Sequence, residues 1–92
     1  MGIKSKPAEN EQNNSGFSGE NKSLILYNDN IHTFEYVIEA LIKVCGHNTE
    51  QAEQCTLIAH YKGKCPIKNG TEEELLRYYK ELTTYGLITK IE

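Results

Sequence analysis

Residues 24–45, LILYNDNIHTFEYVIEALIKVC, contain the join between two elements around which the rest of the chain is organised. The apolar run over 23–27 predicts a β-strand, which stops at three consecutive Asn and Asp residues. Large apolar residues then recur at helical spacing and predict an amphipathic helix over 34–45. Thr33 can cap the start of this helix and Gly46 can end it.

A second helix is expected immediately after the first. Asn48 or Thr49 can cap it, and it ends near Gly63. Its predicted apolar face consists of Ala52, Cys55, Ile58 and Ala59. Residues 64–68 then predict a short strand, and Pro66 confines that strand to a sheet edge because proline cannot donate to the ladder.

A third helix and a last strand complete the pattern. Asn69-Gly70 predicts a turn, and Thr71 with Glu74 has the spacing of a capping box. The predicted buried stripe of this helix is Leu75, Tyr78, Tyr79 and Leu82. The run over 87–91 alternates like a strand. The order β-α-α-β-α-β predicts an α+β fold, a single small domain in which three helices cover one face of a three-stranded antiparallel sheet.

The segment before this pattern has a different composition. Residues 1–22 are rich in Asn, Gln, Ser, Gly, Lys and Glu, and their large apolar side chains are Met1, Ile3 and Phe17. Such a segment cannot bury enough apolar surface to offset the entropy of ordering it. We therefore expect a disordered N-terminal arm over 1–22 and a folded core domain over 23–92.

Charge and hydropathy argue against several classes of protein. The net charge of −3 argues against a nucleic-acid binder, which needs a basic face. The N-terminus lacks the apolar run of a secretory signal, and no run approaches the length of a membrane span. We expect a cytoplasmic monomer that binds neither nucleic acid nor a membrane.

The cysteines give no sign of a disulfide framework or a metal site. Cys45, Cys55 and Cys65 are an odd number, and none belongs to a CxxC pair, which fits a reducing cytoplasm. Together with His47 and His60 they match no known zinc spacing. No metal or other cofactor is expected, and we interpret the thiols as small buried side chains.

The run Asn28-Asp29-Asn30 is longer than one turn requires. Asn and Asp often serve only in Asx-turns and helix caps, although Thr33 already offers a cap here. His60 lies on or beside the apolar face of the second helix, where a histidine more often has a structural role. Asp29 and His60 could form the acid–base dyad of a small hydrolase, but no nucleophile accompanies them, so an enzyme is not expected.

The stretches LILYNDNIHTFEYVIEAL and CTLIAHYKGKC together resemble the ClpS family of adaptor proteins. The first hallmark of the family is Asn-Asp at the end of the first strand, here Asn28-Asp29. The second is His-x-x-Gly at the end of the second helix, here His60 and Gly63. The resemblance extends over about residues 24–92 and is strongest up to Gly63.

This resemblance implies a role in protein degradation. ClpS proteins bind substrates by an N-terminal residue such as Leu, Phe, Tyr or Trp (an N-degron) and deliver them to a Clp-family AAA+ unfoldase. By match to the family, Asn28, Asp29 and His60 would bind the α-amino group. The first side chain would enter a pocket formed by Asn30, Ile31, His32, Thr33, Phe34, Val37, Thr56 and Ala59.

Some positions depart from the family pattern. Phe34 stands where the family usually has Met, which acts as a gate, and Thr56 stands where a larger apolar residue is common. Thr33 replaces a frequent Pro, and Tyr78 replaces a Lys implicated in unfoldase docking. The fold also resembles the C-terminal domain of the ribosomal stalk protein, so an interaction module without N-degron specificity is the alternative. That domain lacks the Asn-Asp and His pair.

Overall fold

The computed structural model describes residues 20–92, which form three strands and three helices. In chain order the elements are β1 (Lys22–Tyr27), α1 (Phe34–Cys45), α2 (Thr49–Lys62), β2 (Lys64–Gly70), α3 (Glu72–Thr84) and β3 (Thr89–Ile91). The sheet is antiparallel with the strand order β2-β1-β3. This confirms the predicted α+β fold and its element order. Most of the predicted N-terminal arm, residues 1–19, lies outside the described residues.

The core lies between the sheet and the helices. Leu24 and Leu26 of β1 are buried in one cluster with residues of all three helices. Ile25, between them, alternates onto the opposite face of the sheet. α2 and α3 pack against the sheet, and α1 packs against both of these helices. The helices therefore cover one face of the sheet, as predicted.

Local capping groups set the bounds of the helices. α1 begins and ends where predicted, because the Thr33 side chain accepts an amide of its first turn and Gly46 is its C-cap. Asn48, one of the two predicted candidates, caps α2 in the same way. Thr71 and Glu74 form the predicted capping box of α3. Each of these bounds rests on residues that are close in sequence.

The predicted turn at Asn69-Gly70 is wrong, because pairing with β1 extends β2 through both residues. The Ser23 hydroxyl donates to Asn69 Oδ1 at 2.7 Å, and Gly70 pairs with the first residue of β1. A Cβ at this position would lie 2.6 Å from Oε1 of Glu74, so a larger residue would displace that oxygen from the capping box. β2 is an edge strand, as Pro66 indicates.

The other strands differ from the prediction at their ends. β1 begins at Lys22, one residue earlier than predicted. β3 begins at Thr89, because Leu87 turns into the core and Ile88 is exposed before the ladder starts. The alternating sequence pattern therefore starts at Leu87, two residues before β3 begins to pair with β1.

Two residues predicted to be buried lie on the flanks of their helices instead. Ile58 of α2 is exposed, and Thr56 is buried in the stripe. Tyr79 of α3 is 37% exposed, whereas Leu75 and Leu82 are buried. Each of these two helices is buried along a stripe that is narrower than the apolar face predicted from its sequence. Apolar residues at the sides of that stripe therefore stay accessible.

Candidate functional site

The end of β1 and the end of α2 meet through their backbones. The Asn28 N–H donates to the carbonyl of Gly63 at 2.9 Å, directly after both elements end. This bond brings the Asn-Asp pair next to the last turn of α2, which carries His60. The two polar features that stand out in the sequence therefore lie at one place.

The Asp29 side chain folds back onto its own loop. Its Oδ1 accepts the N–H of Ile31 at 2.7 Å and that of His32 at 3.1 Å, and its Oδ2 contacts Nδ1 of the His32 ring. Burial by itself raises the pKa of the Asp29 carboxyl, but the His32 ring and the two amides stabilise the ionised form more, so the pKa is lowered. The side chain, 8% exposed, therefore carries its negative charge at neutral pH.

His32, which bonds to Asp29, is held on its other sides as well. Its ring stacks on Tyr36, with the centroids 4.6 Å apart and the planes at 11°. A Cβ at Gly86 would lie 3.2 Å from two atoms of the His32 ring, so the glycine leaves room for the imidazole. The Tyr36 hydroxyl donates to the Tyr85 carbonyl at 2.7 Å. The connection between α3 and β3 thus supports the loop that carries Asp29.

His60 lies between two aromatic rings on the surface. The Phe34 ring is edge-on with its centroid 5.1 Å from that of His60, and the Tyr61 ring is 4.8 Å away. Among residues 20–92, the histidine rings that form hydrogen bonds are those of His32 and His47. Both ring nitrogens of His60 are therefore available to a ligand.

The acid–base dyad considered for Asp29 and His60 is not formed. The Asp29 carboxylate is bonded to His32, and the neighbours of the His60 ring are aromatic. The hydrolase hypothesis loses the pair of residues on which it rested.

A small cavity opens between these groups. It is lined by Leu26, Tyr27, Asn28, Asp29, His32, Phe34, Val37, Thr56, Ala59 and His60. The space open to the centre of a water-sized sphere is about 20 Å³, enough for one water molecule but not for a leucine or phenylalanine side chain. An apolar side chain can therefore enter only if part of the wall moves.

The buried part of the cavity wall is apolar. Val37 and Ala59 are buried there, and Thr56 is buried with its hydroxyl donating to the Ala52 carbonyl at 2.8 Å. That hydroxyl therefore adds no unpaired polar group to the wall. Phe34, by contrast, is 38% exposed and lies beside His60 at the opening. Movement of Phe34 is the simplest way to enlarge the cavity.

The lining differs in part from the predicted site. Asn30 and Thr33 are exposed and Ile31 is 87% exposed, and none of the three lines the cavity. Leu26 and Tyr27 line it without having been predicted. Their position immediately before the Asn-Asp pair is the signal that could have identified them.

Comparison with known proteins assigns the family. A sequence model of the family described as "ATP-dependent Clp protease adaptor protein ClpS" matches residues 19–89. The chain belongs to the ClpS family. The matched range includes every residue that lines the cavity.

Three relatives illustrate the extent of the similarity. The ClpS adapter of Streptomyces avermitilis is 30% identical over 63 residues, which cover 68% of this chain and 60% of that protein. The ClpS adapter of Nostoc sp. is 32% identical over 68 residues, or 73% of this chain and 70% of that protein. The chloroplastic ClpS adapter of Chlamydomonas reinhardtii is 30% identical over 97 residues, which cover 99% of this chain and 60% of that protein. The chain thus spans about three-fifths of the length of the Streptomyces avermitilis and Chlamydomonas relatives.

Two of the three cysteines of this ClpS-family chain, Cys45 and Cys65, are buried, and Cys55 is half-buried. All three are free. Burial raises the pKa of Cys45 to about 11, and burial together with a hydrogen bond to Cys55 raises the pKa of Cys65 to about 12. Thiols with such pKa values are protonated at neutral pH and react poorly.

The described part of the chain shows neither a metal cluster nor a membrane-spanning helix. Over residues 20–92, no group of three or more His, Cys, Asp or Glu side chains is arranged to hold a metal ion. Over the same range, no helix combines the length and the apolar composition that crossing a bilayer requires.

Proposed function

We propose that this ClpS-family protein binds other proteins by an apolar or aromatic N-terminal residue, an N-degron, and delivers them to a Clp-family AAA+ unfoldase for degradation. The observation that carries the proposal is the meeting of Asn28, Asp29 and His60 around one cavity with apolar walls. The names of the relatives, Clp protease adapter proteins, support the delivery step.

The chemistry of a free N-terminus suits these three side chains. An α-ammonium group has three N–H donors and no acceptor, so a receptor must supply acceptors. Asn28 offers its amide oxygen and His60 a ring-nitrogen lone pair. Asp29 already accepts three of the roughly four hydrogen bonds that a carboxylate can accept, so it supplies its charge and one remaining lone pair. A hydrogen bond to a charged group contributes about 1.5–3 kcal/mol.

The same acceptors exclude internal positions of a peptide. An internal amide nitrogen carries at most one hydrogen and no charge, so it could pair with only one of the three side chains. A bound peptide would shield these acceptors from water, and each acceptor then left without a partner would cost about 1–3 kcal/mol. The site would therefore select the first residue of a chain rather than the same residue elsewhere.

The first side chain would occupy the cavity after Phe34 has moved outward. Burial of a leucine or phenylalanine side chain against Val37, Thr56 and Ala59 contributes about 1.5–3 kcal/mol. That gain must exceed the cost of displacing Phe34 from its contact with His60. Residues that bury little apolar surface, such as glycine, cannot meet that cost.

Binding without chemical turnover is the expected outcome. The Asp29 carboxylate is engaged by its loop, and the Thr56 hydroxyl is bonded within α2. We therefore propose an adaptor that is not itself an enzyme. We also propose that it is a monomer and acts in the cytoplasm beside its unfoldase.

Calorimetric titration with peptides that differ only in their first residue tests the proposal. Peptides that begin with Leu, Phe, Tyr or Trp should bind, and the same peptides with acetylated N-termini should not. Asn28→Ala, Asp29→Asn and His60→Ala should each weaken binding, whereas Asn30→Ala, in the same loop but outside the cavity, should not. Undiminished binding of an acetylated peptide would refute the clamp for the α-amino group.

A further inference from the structure

β3 leaves one edge of the sheet unpaired. Ser23 and Glu92 exchange two backbone hydrogen bonds of 2.8 Å, so they are a hydrogen-bonded pair of the antiparallel ladder between β1 and β3. Because hydrogen-bonded and non-hydrogen-bonded pairs alternate in such a ladder, the backbone groups of Thr89 and Ile91 point away from β1. Within residues 20–92 no strand pairs with that edge. The edge can accept one more strand.

An apolar groove runs beside this edge. Leu76 and Tyr79 of α3, 39% and 37% exposed, line it together with Ile91. Thr89 lines it too, although it is only 6% exposed, and its hydroxyl has no hydrogen-bond partner among the described residues. A buried hydroxyl without a partner is unfavourable. The groove thus offers both apolar surface and an unpaired polar group to a ligand.

The N-terminal segment joins the folded domain at this groove. Glu20 and Lys22 line a surface that continues into the groove, and Leu76 belongs to both. The sequence immediately before Glu20 is GFSG, and its Phe17 is the only large apolar side chain between residues 4 and 21. Three extended residues span about 10 Å, roughly two strand spacings. Phe17 can therefore reach the groove from Glu20.

We propose that residues 14–17 pair with the free edge of β3 as a short added strand and that Phe17 packs into the groove against Leu76 and Tyr79. The segment would run antiparallel to β1 and cross the end of β3 before the chain enters β1. Its backbone would supply hydrogen-bond partners on the open side of β3.

The chain's own segment fits this groove better than a second copy or an unrelated peptide. A segment tethered through a few residues has an effective concentration in the millimolar range, well above that of a separate molecule in ordinary solution. Gly19 allows the backbone to turn after Phe17, where the segment crosses toward β1. A covered edge also protects the sheet against pairing between molecules. Residues 1–13 would then project from a fixed point beside α3.

Hydrogen exchange at single amides of the full-length protein, measured by NMR, tests this proposal independently of peptide binding. The amides of Thr89 and Ile91 should exchange about tenfold faster in Phe17→Ser than in the wild type, because the variant loses most of the apolar gain of docking. Phe17→Leu should restore most of the protection. Ile3→Ser, the same kind of change elsewhere in the segment, should leave both amides unaffected.

The groove can be tested from its other side. Leu76→Ala should accelerate exchange at the same two amides and should add nothing further in a Phe17→Ser background. Leu57→Ala is the matched control, because Leu57 is also 39% exposed but lies on α2. Equal exchange in the wild type and Phe17→Ser would overturn the proposal. So would protection that increases with protein concentration, which would assign the edge to a second copy.

Discussion

Replacement of Phe34 by Met should change the selectivity of the cavity more than the stability of the domain. Phe34 is 38% exposed, and its edge-on contact with His60 at 5.1 Å is of a kind that contributes about 0.5–1.5 kcal/mol. Hydrophobic substitutions that conserve volume cost less than about 1.5 kcal/mol. For a folded domain of about 70 residues, that corresponds to a decrease in Tm of no more than about 12 °C.

The selectivity should change because the cavity must open. Its space of about 20 Å³ admits no apolar side chain, so under the proposed function each first residue would bind only with the displacement of Phe34 that it requires. Methionine has three side-chain torsions and adapts to irregular shapes, whereas the phenylalanine ring is rigid. Phe34→Met should therefore favour bulky Trp and Tyr relative to Leu. A tenfold relative gain equals about 1.4 kcal/mol, which is within the range of the lost aromatic contact.

Calorimetry with peptides beginning with Leu, Phe, Tyr and Trp measures the ranking, and thermal unfolding followed by circular dichroism measures the stability. Phe17→Met is the matched control, since Phe17 is the other phenylalanine of the chain and precedes β1. It should leave the ranking of the four peptides unchanged. If Phe34→Met lowers the Tm but preserves the ranking of the four peptides, Phe34 acts only in packing and does not control entry to the cavity.

Other outcomes follow from the loop and from the N-terminal segment. His32→Asn keeps a donor for the Asp29 carboxylate and should retain most peptide affinity, whereas His32→Phe keeps the stacking on Tyr36 but not the donor and should weaken binding about tenfold or more. Equal calorimetric affinities of these two variants would contradict a positioning role for the hydrogen bond. The lowered pKa of Asp29 means that its stabilisation of the fold is present above the ordinary carboxyl range near pH 4 and is lost as the pH falls through the folded-state pKa. The difference in urea-unfolding free energy between the wild type and Asp29→Asn should therefore shrink between about pH 6 and pH 3, and a constant difference would disprove the linkage. Deletion of residues 2–17 should leave peptide affinity nearly unchanged and impair unfoldase-dependent degradation, and a large loss of affinity would make the segment part of the degron site.

The elements that could be predicted from the sequence are those whose bounds depend on near neighbours. α1 begins and ends as expected because Thr33 and Gly46 act on the turns beside them. The turn expected at Asn69-Gly70 failed for the opposite reason. Whether these residues turn or pair depends on Ser23 and the start of β1, far away in the sequence.

The candidate site shows the same division between local and distant causes. The Asn-Asp pair and His60 could be recognised from the sequence, but their meeting depends on the bond from Asn28 to Gly63. The link between His32 and Asp29 could not be predicted, although the two residues are only three apart. The His32 ring occupies the space left at Gly86, a residue that is far away in the sequence but adjacent in the fold.

The structural and the functional interpretation of the Asn-Asp-Asn run are compatible, because one carboxylate can serve both. The hydrogen bonds that Asp29 accepts from the amides of Ile31 and His32 are those of an Asx-turn, and they close the loop between β1 and α1. The same bonds fix the carboxylate before any ligand arrives. Binding an ammonium group then costs no further ordering of that side chain, whereas an unbonded carboxylate would lose rotamer freedom or turn away. Formation of the turn would thus be the means by which the loop holds a preorganised negative charge beside Asn28 and His60.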